Sequence, residues 1–150
     1  MRARIGGHPI HPALAHLPIG LWYGAVLWDF VGWWRTGEAL WWQMGYWCLA
    51  LGLLAALPTI ATGLIEFFAL LEDERAITAA TAHMMAMAGA AAIFGAGWVL
   101  RAKAGAASAP TEWGYALDIA GAAVLMVGGW LGGTLVYRHG IGREEAAGRR

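Results

Sequence analysis

Five histidines, His8, His11, His16, His83 and His139, and the carboxylate Glu66 are of types that can hold a metal or carry protons. Three of the histidines share the stretch GHPIHPALAHLPIG at 7–20 with three prolines. Imidazole is an ordinary axial ligand of haem iron. His16, His83 and Glu66, with His139, would equally supply the nitrogen and oxygen ligands that zinc accepts. Glu66 could also carry a proton for quinone chemistry. Lone histidines on membrane helices can instead hydrogen-bond to a neighbouring helix and only fix packing. All four readings stay open on residue types alone. The single cysteine, Cys48, excludes an internal disulfide and a cysteine-pair metal site. With no Cys-x-x-Cys-His, any haem would be non-covalent, b-type.

These residues belong to a chain with the composition of a membrane protein. Of its 150 residues, 59% are hydrophobic and 13% charged, against about 25% charged in soluble domains, and the mean hydropathy is +0.53. Ten tryptophans and 22 glycines agree with that, since tryptophan anchors at the lipid–water interface and glycine is frequent in membrane helices. A formal net charge of zero gives no footprint for nucleic acid. The basic start MRARIGG precedes an apolar run that is longer than a signal-peptide core and lacks a small-residue cleavage site, which predicts a retained span.

A helix needs about 20 mostly apolar residues to cross the bilayer core. Four segments qualify, roughly 14–34, 41–68, 78–100 and 113–137. They are joined by RTGE, EDER and RAKAGAASAPTE, which leave no room for a soluble domain. The expected fold is all-α, a four-helix transmembrane bundle forming one domain over 1–150. If the N-terminus is cytoplasmic, Arg2, Arg4, Arg75, Arg138, Arg143, Arg149 and Arg150 lie inside and Arg35, Arg101 and Lys103 outside. That excess places both termini in the cytoplasm. Trp33, Trp34, Trp41 and Trp42, with Trp113 and Tyr115, would form an outer aromatic belt. Each half has a histidine near the start of its first span, as a duplicated helix hairpin would, but the sequence similarity is too weak to carry that.

This topology collects all five histidines and Glu66 at one side of the membrane. His83 lies eight residues beyond Arg75, about 12 Å deeper in a continuous helix. Pro12 suits a first helical turn, His16 follows about 6 Å in, and Pro18 is expected to distort that turn. Pro9 takes His8 out of helical geometry, so His8 and His11 read as a stiff cap. Spans one and three of an up-down bundle lie diagonally, roughly 11–14 Å apart. His16 and His83 could therefore reach one haem iron from opposite sides, with His139, Arg138 and the His8/His11 cap near the propionates. Met84, Met85 and Met87 beside His83 could include a haem ligand, but at helical spacing they read as packing. Gly128, Gly129, Gly132 and Gly133 give two small-xxx-small pairs, which allow close helix approach or leave room for a flat cofactor. Asp29 and Asp118 fall toward the outer ends of spans one and four, about 20 Å from the histidines. There Asp29 would pair with Arg101 or with a tryptophan N–H.

GHPIHPALAHLPIGLW, the later Asp29, TGLIEF at 62–67, His83 and GGTLVYRHGIG at 132–142 resemble a bacterial membrane family known as a domain of unknown function, number 2231. The resemblance spans essentially the whole chain. It implies a four-span inner-membrane protein, and the joining of some relatives to Rieske-type iron–sulfur domains implies redox company. The matching positions are His8, His11, His16, His83 and the stretch from Gly132 to Tyr137; Glu66 stands where the family resemblance implies aspartate. The leading expectation is a b-type haem electron-transfer protein of the inner membrane, exchanging electrons with a quinone or a separate Rieske-type partner. The alternative is a non-catalytic accessory subunit whose histidine layer binds zinc or is structural. Substrate, enzymatic activity and oligomeric state are not legible.

Overall fold

The computed structural model describes residues 4–6, 8–35, 38–71 and 74–141. Four helices carry the chain: α1 (Ile10–Trp34), α2 (Ala39–Phe68), α3 (Ile77–Ala104) and α4 (Glu112–Tyr137). All four are long and apolar enough to cross a membrane. At 1.5 Å per residue even the shortest is about 37 Å long, more than the ~30 Å of a hydrocarbon core. In lipid each helix satisfies its own backbone polar groups. Large outward side chains such as Leu57, Met126 and Trp130 therefore need no protein cover.

The ends follow local chemistry. Two-residue strands β1 (Arg4–Ile5) and β2 (His8–Pro9) pair antiparallel ahead of α1. Pro9 is the extended N-cap residue, so His8 lies outside the helix as expected. Pro18 does not break α1, which runs through it; membrane helices tolerate proline because surrounding groups re-satisfy the freed carbonyl. Thr111 caps α4, its hydroxyl accepting the Gly114 N–H at 3.2 Å. Gly105, with φ 97°, ends α3. The third helix thus extends past the expected limit of 100, and Arg101 belongs to its last turn rather than to a polar connection.

α1 packs chiefly on α2 and α3 on α4, and the two hairpins close into a bundle through α2·α3 and α1·α4. α1 and α3 lie on the diagonal and meet through side chains. Trp22 stacks on Phe94 at the centre, with ring centroids 5.1 Å apart. Around that pair lie Ala25, Leu49, Ala56, Ala90 and Leu125. A second cluster of Leu70, Ala76, Ala80 and Leu135 closes the end that carries the termini.

The two hairpins repeat one another. The inward positions Pro18, Trp22, Ala25 and Asp29 of α1 recur 72 residues later as Ala90, Phe94, Gly97 and Arg101 of α3, all buried. Gly45, Leu49, Gly52, Ala56 and Thr59 of α2 recur 69 residues later as Gly114, Asp118, Gly121, Leu125 and Gly128 of α4, again all buried. Packing repeats as well as burial. A Cβ on Gly52 would stand 2.5 Å from the Trp22 ring, and one on Gly121 2.8 Å from the Phe94 ring. Both helices of each hairpin run in the same sense as their counterparts, so the halves are parallel repeats related by a pseudo-two-fold axis along the bundle. Gly52→Val or Gly121→Val should each cost about 1–3 kcal/mol by overpacking. Denaturation in mixed micelles would show this as an earlier unfolding midpoint, and an unchanged midpoint would contradict the central packing.

Candidate functional site

Polar residues enter the bundle in two layers, one near each end. The first is built on the repeat. His11, in the first turns of α1, lies against α2, with Nδ1 2.9 Å from the Thr59 carbonyl oxygen. His83, one and a half turns into α3, lies against α4, with Nδ1 2.8 Å from the Gly128 carbonyl oxygen. These are equivalent positions in both the donor helix and the acceptor helix. Each ring rests on a glycine one turn further along: a Cβ on Gly63 would come 2.8 Å from His11, and one on Gly132 3.0 Å from His83. The small-xxx-small pair Gly128/Gly132 therefore makes room for an imidazole, not only for a helix backbone.

The hydrogen bonds fix the chemistry of the rings. A carbonyl can only accept, so Nδ1 carries the proton in both, and in the neutral ring the lone pair is left on Nε2. Neither Nε2 has a hydrogen-bond partner among the described residues. An Nδ1–H held by a carbonyl, with Nε2 unengaged, is the arrangement that second-shell contacts give to metal-ligating histidines. Two oriented imidazoles from diagonal helices are a donor set that could hold a haem iron. Among the described residues no group of three or more His, Cys, Asp or Glu side chains is placed to hold a bare metal ion.

Of the sequence-predicted site residues, His16 departs most from expectation. It lies on the exposed face of α1, off the stripe formed by Pro18, Trp22, Ala25 and Asp29, and does not stand opposite His83. His11, read from sequence as a cap, occupies the inward position. His8 is exposed and donates from Nδ1 to the Gly6 carbonyl, 3.0 Å away. His139 is half-buried and Arg138 exposed, both just beyond the end of α4. Glu66 is half-buried in the last turn of α2, one turn past Gly63. Met87 packs against Gly128, in keeping with a packing role, whereas Met85 is exposed.

The second layer lies about 27 Å along the bundle, eighteen residues beyond His11 and His83. There Arg101 donates through one terminal nitrogen to Asp29 Oδ2 and through the other to the Trp42 carbonyl. Asp29, Arg101 and Asp118 are 0%, 4% and 3% exposed. Asp29 and Arg101 are themselves equivalent positions of the two hairpins, so the pseudo-two-fold pairs opposite charges across the axis. The Asp29–Arg101 pairing expected from sequence is present. Asp118, expected with Asp29 toward this outer end, also faces this layer. The aromatics expected to form an outer belt differ in their packing. Trp33, Trp34 and Trp113 are exposed, but Trp41 stacks on Trp28 and Trp42 packs against Gly32.

A family model described as a predicted membrane protein, DUF2231, matches residues 7–145. The chain belongs to the DUF2231 family. Comparison with curated proteins and with solved structures gave no match. The matched span takes in both layers of this DUF2231 chain, from His8 and His11 through Arg101 and Asp118 to His139.

Proposed function

We propose that this DUF2231 protein is an integral b-type haem electron carrier, or the haem subunit of a redox complex, in which His11 and His83 would hold the iron. The observation that supports this reading best is the matched pair of Nδ1–carbonyl bonds, which leaves two Nε2 lone pairs on diagonal helices at the same height. Haem bound there would supply reversible one-electron chemistry. The residues' own task is to present two neutral imidazoles in fixed tautomers. Arg138 and His139 follow at the water side, about 15 Å along α4 from the carbonyl that holds His83, where charged propionates would meet them. Glu66 and His8 stand at the same end. His16 has no ligand role in this reading.

The orientation that fits is both termini in the cytoplasm of a bacterial inner membrane. With Arg101 buried in the bundle, the opposite end keeps Arg35 and Lys103 as its exposed cations, which strengthens the Lys/Arg asymmetry. The electron partner in this reading is a quinone, or a separate Rieske-type iron–sulfur protein such as the family resemblance implies.

The same Nδ1 bonds also favour a second reading, a non-catalytic accessory subunit in which each histidine only locks its own hairpin. An absorption spectrum of protein purified from its native membrane separates the two. The redox reading expects a Soret band and, after dithionite, the sharp visible bands of low-spin b-type haem. A featureless spectrum that persists after haem supplementation would leave the accessory reading, and elemental analysis showing zinc without iron would place a divalent metal there instead.

A further inference from the structure

The layer opposite the histidines holds two carboxyls and one guanidinium, all more than nine-tenths buried. Asp29 Oδ2 is paired with Arg101, and Asp118 of α4 faces the same layer, near enough to interact with the Asp29 carboxyl. Yet Asp29 Oδ1, Asp118 Oδ2 and Arg101 Nε, all buried, have no hydrogen-bond partner among the described residues. Two ionised carboxylates cannot donate to one another, and with a single guanidinium they would bury a net negative charge. Charges inside a membrane protein are costly unless compensated. One added proton resolves both problems: it balances the charge and gives the two carboxyls a donor between them.

We propose that Asp29 and Asp118 share one exchangeable proton, so that this end of the bundle is a proton-binding site organised by Arg101. Uptake converts one carboxylate to a carboxylic acid, with the proton drawn from the aqueous face nearby; release returns it there. Asp118 is six residues from the start of α4, about 9 Å of helix, so the adjoining water is near. The groups around the pair are few. α3 contributes Arg101, α4 contributes Tyr115 beside Asp118, and α2 contributes Gly45, the Trp42 carbonyl and, one turn on, Cys48. A Cβ on Gly45 would collide with the Asp29 carboxyl, so the close approach of α2 is part of the site. The assignment stands independently of haem binding, because it uses none of the histidines.

Infrared spectroscopy of the full chain in nanodiscs tests it. At neutral pH the wild-type protein should show the carbonyl stretch of a protonated carboxylic acid, downshifted after exchange into heavy water. Asp118→Asn should remove that band, since Asp29 is then left ionised against Arg101; Asp29→Asn should remove or shift it. Asp118→Asn should keep a near-wild-type unfolding midpoint, because it leaves the Asp29–Arg101 pair in place, whereas Asp29→Asn removes the carboxylate bonded to Arg101 and should unfold earlier. Absence of the band in folded wild-type protein, or its persistence unchanged in Asp29→Asn/Asp118→Asn, would overturn the proposal.

Discussion

Replacing His11 or His83 with alanine should abolish the haem spectrum, whereas His16→Ala should leave it intact. The contrast follows from where the rings lie: His11 and His83 occupy matched inward positions clamped by the Thr59 and Gly128 carbonyls, while His16 lies on an exposed face. Loss of an outer-shell partner alone costs about 10–100-fold in metal affinity, so loss of a ligand should take bound haem below detection. Packing and ligation can be told apart by making His83→Gly and adding imidazole during haem reconstitution. A ligand role predicts recovery of the low-spin spectrum, since free imidazole can fill the space left above Gly132. A structural role predicts that stability falls and no spectrum changes. If His16→Ala, rather than His11→Ala, removes the haem, the repeat-based assignment is wrong.

Arg101→Leu should be the most destabilising substitution at the other end of the bundle. Arg101 pairs with Asp29 and also holds the Trp42 carbonyl of α2, and it is almost wholly buried. Removing one partner of a buried ion pair typically costs about 3–5 kcal/mol, because the remaining charge stays buried without compensation. Replacing both partners by apolar groups is often close to neutral. Arg101→Leu/Asp29→Leu should accordingly unfold nearer to wild type than Arg101→Leu does. Chemical denaturation in mixed micelles reads both values. A single variant as stable as wild type, or a double variant worse than the single one, would show that the pair is not the anchor described.

Much of the architecture is written in the sequence because lipid demands it. Four apolar runs long enough to cross a bilayer have no other good solution, and the helices begin within a few residues of where hydropathy places them. The end of α3 was harder to see. An arginine beside Lys103 at the edge of a Gly/Ala-rich connection looks like a loop cation even with Asp29 as its expected partner, and only its burial against Asp29 places it inside the helix.

Facing direction was harder still. In a membrane bundle both the lipid side and the core side of a helix are apolar, so periodicity does not tell His11 from His16. A signal was nevertheless present in the spacing. His11 precedes Asp29 by the same eighteen positions that separate His83 from Arg101. Gly45-Tyr46, Gly52 and Gly63 recur in register as Gly114-Tyr115, Gly121 and Gly132. Read together, those two registers align His11, not His16, with His83. Each alone is only a few identical residues in two otherwise different hairpins. Burial and hydrogen bonding turn the coincidence into a repeat, because the aligned positions face inward and make equivalent contacts.

Near-infrared magnetic circular dichroism of the ferric protein, purified from its native membrane, tests the His11–His83 assignment most directly, because the position of the porphyrin-to-iron charge-transfer band identifies both axial ligands. The expected result is a low-spin bis-imidazole signature that is lost in His11→Ala and in His83→Ala. A histidine–methionine or high-spin signature, or no haem after reconstitution, would contradict it.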